Sequence, residues 1–269
     1  MFAGSLKKLR DSLVALAYPQ ACRVCGEPVE VWSDGVVCGR CWTDPAVTRL
    51  LLGVRICQLC GAPLDSAIRS IRWSSGPASD DAPRNPERPA ACAVCAKVGS
   101  RPLRHARSCG IYSGALEASV LFLKSNPHLC GRLREILSAT FDEHRDALAG
   151  SVVIPVPLHR SRERERGFNQ ALIIARALCR RHDLPLDARA LARVKPTARH
   201  RAGMDFVDRA KSVENAFEAI HPARVDGKKI LLVDDVYTTG STISAAATAL
   251  LRAGAETVNA LTLARVASA

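Results

Sequence analysis

The sequence predicts an α/β protein in which an open, mostly parallel sheet is flanked by helices and preceded by a small cysteine-rich module. From residue 151 onward, continuous apolar runs alternate with helical patterns, and such alternation is typical of parallel sheets. Eight of the 11 cysteines form four C-x-x-C pairs, all within residues 22–95. The 269 residues leave room for one medium domain and a small appendage.

Composition divides the chain into three parts. Residues 1–17 predict an amphipathic helix with a basic start. Residues 18–100 hold the four C-x-x-C pairs, and the Ser-, Pro-, Asp- and Arg-rich stretch 74–89 is interpreted as a flexible insertion. Residues 101–269 hold the α/β pattern. No apolar window reaches the ~18 residues of a spanning helix, and the start lacks a cleavage-site pattern, which favours a cytoplasmic protein.

The predicted sheet rests on apolar runs that suit strands buried on both faces. The predicted strands are residues 108–113, 151–158, 229–235 and 256–266. The segments with helical character are residues 114–124, 131–148, 169–182 and 241–254. The helix at 169–182 has a basic last turn that suits the helix dipole, and the helix at 241–254 opens with Ser and Thr and closes at Gly254.

The four C-x-x-C pairs predict two structural zinc ions. The pairs are Cys22/Cys25, Cys38/Cys41, Cys57/Cys60 and Cys92/Cys95. One C-x-x-C turn presents two thiolates, and two turns complete a closed tetrahedral Zn²⁺ site with no open position for catalysis. Sequential and cross-braced pairing both remain open, and iron–sulfur clusters or redox disulfides are alternative interpretations. Cys109, Cys130 and Cys179 lie in apolar segments and are predicted to be core residues.

The most specific segment follows the predicted strand at 229–235. Asp234 and Asp235 are succeeded by a Thr/Gly/Ser turn around Gly240 that leads directly into a helix. Ligands of open α/β sheets bind at this edge, and exposed N–H groups at a helix start suit a phosphate monoester. The carboxylates suit sugar hydroxyls, or a Mg²⁺ ion held mainly by the substrate's phosphates. A plain strand with a Ser/Thr-capped helix is the alternative, but it leaves the adjacent carboxylates unexplained.

This segment resembles the signature of type I phosphoribosyltransferases that binds PRPP (5-phosphoribosyl 1-diphosphate). The resemblance implies that Asp234 and Asp235 hold the ribose hydroxyls. It also implies a cradle for the 5′-phosphate, formed by Val236, Tyr237, Thr238, Thr239, Gly240, Ser241 and Thr242. The hydroxyls of the Thr and Ser residues can donate further hydrogen bonds to that phosphate.

"RGFNQA" at the start of the predicted helix resembles the pyrophosphate loop of the same enzymes. The resemblance implies diphosphate binding by Arg164, Arg166, Gly167, Phe168 and Asn169. It further implies a flexible loop from which Lys195, Arg199 and Arg201 close over the diphosphate. In the alternative interpretation, the charged stretch is a solvated helix cap in which Glu163 and Glu165 neutralise neighbouring arginines.

The whole pattern is similar to the ComF family. "PVPLH…R…RGFNQA" at 155–171 recurs with "YSG…K" at 112–124, "LARVKPT" at 191–197 and "SVENAF" at 212–217. The resemblance therefore spans nearly the whole chain. It implies a phosphoribosyltransferase-like domain at 101–269 behind a double zinc ribbon at 18–100, with Mg²⁺·PRPP as ligand. It also implies a part in DNA uptake during natural transformation, beside a competence helicase.

Two functions follow as hypotheses. An enzyme would displace pyrophosphate from C1 of PRPP by a nitrogen nucleophile, although no residue stands out as a general base and neither the acceptor nor the oligomeric state is specified. A binding module would hold single-stranded DNA on a basic surface. The net charge is +12, and residues 160–211 hold 14 basic and six acidic side chains. Stacking aromatics are scarce in that segment, where only Phe168 and Phe206 occur.

Overall fold

The computed structural model describes residues 18–43, 55–64, 91–97, 101–150, 152–196 and 215–266. The expectations for the helix at 1–17, for the insertion at 74–89, and for Arg199 and Arg201 lie outside these ranges. The described strands are β1 (Ala106–Ser108), β2 (Val152–Pro155), β3 (Leu191–Arg193), β4 (Phe217–Ala219), β5 (Lys229–Tyr237) and β6 (Thr257–Arg265).

Eight α-helices are described, three of them only four or five residues long. They are α1 (Gly39–Trp42), α2 (Ala93–Lys97), α3 (Gly114–Ser125), α4 (Gly131–Glu143), α5 (Arg145–Leu148), α6 (Arg160–Arg166), α7 (Gln170–His182) and α8 (Ser241–Arg252). None of the helices in the described part of the chain has the length and apolar character that a bilayer crossing requires.

The main sheet has four strands in the order β1–β6–β5–β2, and every neighbouring pair is parallel. This confirms the predicted open parallel sheet. The central strands β5 and β6 pair along their whole length, from Lys229 with Thr257 to Tyr237 with Arg265. Because both strands are apolar and buried almost throughout, they form a rigid support for the side chains at their carboxyl ends.

Helices cover both faces of this sheet, and the strand residues divide between the faces by alternation. Leu231 and Val233 of β5 share a core with α3, α4 and α7. Ile230 and Leu232 share the opposite core with α8. A separate two-stranded antiparallel sheet of β3 and β4 packs beside α8. The carboxyl ends of β5 and β2 therefore open between α7 on one side and this small sheet on the other.

Several predicted elements differ from the structure; the strand predicted at 151–158, for example, ends at Pro155. The first strand ends at Ser108 and does not span 108–113, because after Gly110 its contact with β6 continues only as an isolated bridge at Ile111. The helix predicted at 131–148 breaks at His144, whose backbone leaves the helical region.

The charged segment after β2 lies in none of the segments with predicted helical character, and it is helix α6. The His159 ring accepts a hydrogen bond from the Ser161 N–H at its start, and Gly167 ends it with φ of 82°. Arg and Glu are good helix formers, so two capping positions suffice to define this short helix.

Candidate functional site

Two groups of four cysteines lie with their sulfur atoms within 4.8 Å of one another, and they follow the sequential pairing. The first group is Cys22, Cys25, Cys38 and Cys41, and the second is Cys57, Cys60, Cys92 and Cys95. All eleven cysteines are free thiols, which removes the disulfide interpretation. The Sγ distances Cys25–Cys38 and Cys60–Cys92 are 3.6 and 3.7 Å. A tetrahedral ZnS₄ site with Zn–S near 2.3 Å requires about 3.8 Å, so both groups fit structural zinc.

The first tetrad is prepared for a cation by backbone donors. Burial disfavours the Cys22 thiolate, but N–H groups of Cys38, Cys25 and Val24 outweigh burial and lower the pKa of Cys22 to about 6. This ribbon packs through Trp42 and neighbouring valines onto the core that contains α3 and α4. Arg40, which lies beside Cys25, is exposed.

The second tetrad is deeper and is accompanied by two buried arginines. Arg107 and Arg265 are only 7% and 2% exposed. Arg107 donates to the Gln58 carbonyl at 3.0 Å, and Arg265 donates to the Cys60 carbonyl. Their Nε atoms have no hydrogen-bond partner among the described residues. Zn²⁺ with four thiolates carries two negative charges, so two buried guanidinium groups are the counter-charges that a loaded site needs.

The turn after β5 is shorter than the sequence predicted. Val236 and Tyr237 belong to the strand and pair with Ala264 and Arg265. The turn itself is residues 238–240, and α8 begins at Ser241. It is bridged by hydroxyls, since Thr239 Oγ1 lies 2.7 Å from Ser241 Oγ.

Gly240 is required at the turn for two reasons. Its φ is 80°, and a Cβ there would overlap the Tyr237 hydroxyl beneath it. Tyr237 is buried and its pKa is raised to about 12, mainly by burial, so its ring is a neutral support under the turn. The side of the turn facing away from Tyr237 offers N–H groups and hydroxyls, and such donors suit a phosphate. The N–H groups come from the start of α8, and the hydroxyls come from Thr238, Thr239 and Ser241.

The two carboxylates stand at the end of β5 in different surroundings. Asp235 is buried, accepts a hydrogen bond from Gln170 Nε2 at 3.2 Å, and lies 3.7 Å from Lys124 Nζ. Asp234 is half-buried. Burial and the Asp235 charge raise the pKa of Asp234 well above its usual range, against the opposing effects of the Asp235 N–H, Arg193 and Lys124.

Some of the predicted pyrophosphate-binding residues stabilise the fold, and others are exposed to solvent. Asn169 is buried and caps α7, because its Oδ1 accepts from the Ala171 N–H at 3.0 Å and its Nδ2 donates to the Val156 carbonyl. Arg166 donates to Gln170 across the elbow between α6 and α7 (residues 167–169), and Gln170 connects this elbow with Asp235. Phe168 is half-buried, and Gly167 is exposed.

Two of the predicted cations face solvent. Arg164 on α6 and Lys195 beyond β3 are both exposed. Thr242 lies in the first turn of α8 and is half-buried. The structure thus brings the Asp234–Asp235 pair, the turn and the Gly167 elbow to one edge of the sheet.

Three site residues were missed by the sequence reasoning. Lys124 and Gln170 contact Asp235, and Arg193 on β3 acts on the charge of Asp234. The Arg193 guanidinium also lies over the Phe217 ring, 5.2 Å from its centroid. A usable signal existed, because Lys124 and Arg193 lie in the segments "YSG…K" and "LARVKPT".

Comparison with known families defines the class of protein. The family model described as phosphoribosyl transferase domain matches residues 167–269, and the one described as double zinc ribbon domain matches residues 13–74. The first match contains the carboxylates, the turn and the start of the elbow. The second contains the first tetrad and the pair Cys57/Cys60. The chain is therefore a phosphoribosyltransferase-type domain combined with a double zinc ribbon.

Within that class, relatives named as competence proteins support the resemblance to the ComF family. It is 38% identical over 114 residues to Competence protein F of Haemophilus influenzae, which covers 42% of this chain and 49% of the relative. It is 32% identical over 174 residues to Competence protein ComFC of Bacillus subtilis, covering 61% and 65%. DNA utilization protein YhgH of Escherichia coli O157:H7 is 38% identical over 113 residues, covering 42% and 48%.

The chain thus spans about half the length of the Haemophilus and Escherichia relatives it matches. Among solved structures, glutamine PRPP amidotransferase from B. subtilis, complexed with ADP and GMP, is 19% identical with a TM-score of 0.33. That similarity covers 55% of this chain and 26% of the other, and it bears on neither substrate nor activity.

Proposed function

We propose that the chain binds Mg²⁺·PRPP at the carboxyl end of β5 and transfers the phosphoribosyl group to a nitrogen nucleophile with release of pyrophosphate. The observation that carries this proposal is the adjacency of Asp234 and Asp235 to a Gly240 turn at the start of α8. An anion site beside two carboxylates suits a ligand with a phosphate at one end and hydroxyls next to it.

Each part of the site then has a role in binding. The hydroxyls and N–H groups of the turn hold the 5′-phosphate, and Asp234 and Asp235 accept the ribose hydroxyls. Mg²⁺ prefers carboxylate oxygens as protein ligands, so these two side chains could also contribute ligands to a magnesium ion that is held mainly by the substrate. When bound, Mg²⁺ supplies positive charge to the leaving diphosphate. Lys124, 3.7 Å from Asp235, offsets the negative charge of this carboxylate from the protein side.

The chemistry exchanges one bond at C1 for another. The bond from C1 to the diphosphate oxygen breaks, and its electron pair leaves with the diphosphate. The acceptor nitrogen donates its own pair to C1 and gives up its proton to solvent. Positive charge at C1 is largest in the transition state while negative charge builds up on the leaving diphosphate, so catalysis rests on orientation and on fixed charges. We assign the diphosphate side to Arg164, Arg166 and the Gly167 backbone, with Lys195, Arg199 and Arg201 closing over it.

The raised pKa of Asp234 gives the binding a pH dependence. A carboxyl with a raised pKa keeps its proton to a higher pH, and the protonated form is the poorer acceptor for a ribose hydroxyl. We therefore expect the affinity for Mg²⁺·PRPP to increase from pH 5 to pH 8 more steeply in the wild-type chain than in Asp234→Asn. Calorimetric titration across this range measures both profiles. The ligand's own titration is common to the two proteins, so parallel profiles would refute the role of Asp234.

Transfer itself is tested by release of pyrophosphate. The zinc-loaded chain is incubated with Mg²⁺·PRPP and a panel of nucleobases and other nitrogen nucleophiles. We expect one member of the panel to accelerate pyrophosphate release over the rate with PRPP alone. A chain that binds PRPP but releases no pyrophosphate with any of them would limit the proposal to binding.

A second candidate function is binding of single-stranded DNA in the cytoplasm, beside a helicase-like partner. It is favoured by α6, where Arg160 and Arg164 are exposed on one short helix. The relatives' names, competence protein and DNA utilization protein, point in the same direction. Retention on immobilised single-stranded DNA that decreases steeply with salt, and that Arg160→Gln/Arg164→Gln weakens, would support it. Retention that does not depend on these arginines would count against it.

A further inference from the structure

The second cysteine tetrad and the turn at Gly240 are joined by a short chain of buried contacts. Arg265, the last residue of β6, donates to the carbonyl of the ligand residue Cys60. Its guanidinium also lies over the Tyr237 ring, 5.1 Å from the centroid. Tyr237 in turn lies directly under Gly240, where it leaves no room for a Cβ. Three consecutive contacts therefore lead from a zinc ligand to the turn.

Strand pairing and burial also constrain the residues of this connection. Tyr237 and Arg265 are register partners on adjacent strands, which fixes their spacing. Cys60, Tyr237 and Ser244 of α8 line one small cavity, so the ribbon reaches the first turns of that helix as well. Both Tyr237 and Arg265 are at most 5% exposed, so neither side chain has solvent into which it could relax.

Electrostatics makes this connection sensitive to the metal. Arg265 donates to the Cys60 carbonyl and Arg107 donates to the Gln58 carbonyl, so both buried guanidinium groups lie against this tetrad. Loaded with Zn²⁺, the tetrad carries two negative charges that these guanidinium groups offset in a buried region. The first tetrad differs, because it packs into the other core and its neighbour Arg40 is exposed.

We propose that Arg265 and Tyr237 are positioning residues through which the second tetrad, in its zinc-loaded form, fixes the phosphate-binding turn at Gly240. This inference rests on the proposed function, since it assumes that the turn holds the 5′-phosphate. The loaded tetrad fixes the position of Arg265, and the Arg265 guanidinium fixes the Tyr237 ring. The ring in turn fixes the position of the turn at Gly240, which packs directly on the Tyr237 hydroxyl. The first tetrad has no part in this connection.

The test compares Arg265→Lys with Arg107→Lys in the full-length, zinc-loaded chain. Both changes keep a buried positive charge and remove a guanidinium that donates to the second ribbon, but of the two arginines the structure places Arg265 over Tyr237. Ribose 5-phosphate reports on the turn, and Mg²⁺·pyrophosphate reports on the opposite end of the site. Each ligand is titrated calorimetrically, and zinc per chain is measured for each protein.

We expect Arg265→Lys to weaken ribose 5-phosphate binding about tenfold at full zinc content, which corresponds to about 1.4 kcal/mol. Pyrophosphate binding by this variant, and both ligands with Arg107→Lys, should change by less than about twofold. A purely structural role would weaken both ligands together, and that result would overturn the inference. So would a wild-type affinity for ribose 5-phosphate in Arg265→Lys.

A second measurement keeps the inference testable without ligand. Amide hydrogen exchange of residues 237–243 is compared between Cys92→Ser and Cys25→Ser, each of which removes one ligand from one tetrad. We expect faster exchange of this segment in Cys92→Ser alone. Equal exchange in the two variants would overturn the connection. If the wild-type chain binds neither PRPP nor ribose 5-phosphate, the proposed function fails, and this exchange result still decides whether the tetrad fixes the turn.

Discussion

Replacing Asp234 and Asp235 together with asparagine should weaken Mg²⁺·PRPP binding by about a hundredfold or more. A hydrogen bond to a charged group contributes roughly 1.5–3 kcal/mol, and two such bonds to the ribose hydroxyls correspond to at least that factor. Asparagine has nearly the same size, so the end of β5 keeps its shape while it loses both negative charges. Calorimetry on the two proteins measures the difference.

The fold should not suffer from this double substitution. The pKa of Asp234 is raised, so the folded protein disfavours the ionised form of this side chain. The protonated form stabilises the folded protein at low pH, and this stabilisation is lost as pH increases through the raised pKa. Removing the Asp234 charge is therefore neutral or stabilising at neutral pH. When Asp235 also loses its charge, Lys124 keeps solvent as a partner, because its side chain is 34% exposed. Asp142→Asn/Asp146→Asn is the matched control, because it removes two exposed charges from α4 and α5. Equal PRPP affinity in the double variant and this control would contradict the assigned site.

The second large effect concerns the deeper tetrad. Cys57 is fully buried, and Cys57→Ser should remove the zinc ion of this site and lower the free energy of unfolding by about 3–5 kcal/mol. The loss has two sources. A closed four-thiolate site does not retain its geometry with three ligands, and Arg107 and Arg265 keep their charges without the negative tetrad that offsets them. Urea unfolding with reductant present, together with zinc analysis, measures both.

Cys179→Ser is the control for the chemical change itself. Cys179 is a buried core thiol outside both tetrads, so the serine hydroxyl should cost only about 1–2 kcal/mol there. Zinc content should be two ions per chain in the wild type and in this control, and one in Cys57→Ser. Two retained zinc ions in Cys57→Ser would show that Cys57 is not a ligand.

Much of this architecture is visible in the sequence because its signals are local. A C-x-x-C pair fixes two ligands within one turn, so four pairs predict two closed sites before any fold is known. A continuous apolar run ending in Asp234 and Asp235, followed by Gly240, likewise places carboxylates and an anion site at the edge of a parallel strand. The pairing of the tetrads was left open, because it depends on which turns approach one another in space.

What the sequence did not reveal depends on long-range contacts. Arg107 and Arg265 look like ordinary strand-end residues, and only the packing of the second ribbon on β1 and β6 shows that they neutralise a buried site. Lys124 is far from Asp235 along the chain, and α3 brings it there. Asn169 was assigned to the diphosphate by resemblance, while its hydrogen bonds show a cap of α7. Such roles follow from tertiary structure and not from spacing.

The most direct test of the central claim is calorimetric titration of Mg²⁺·PRPP into the wild-type, zinc-loaded chain. We predict saturable binding of one PRPP per chain that competes with ribose 5-phosphate. A folded chain with two zinc ions that shows no heat of binding, and no protection against thermal unfolding by excess PRPP, would contradict the claim that the Asp234–Asp235 edge and the Gly240 turn form a phosphoribosyl site.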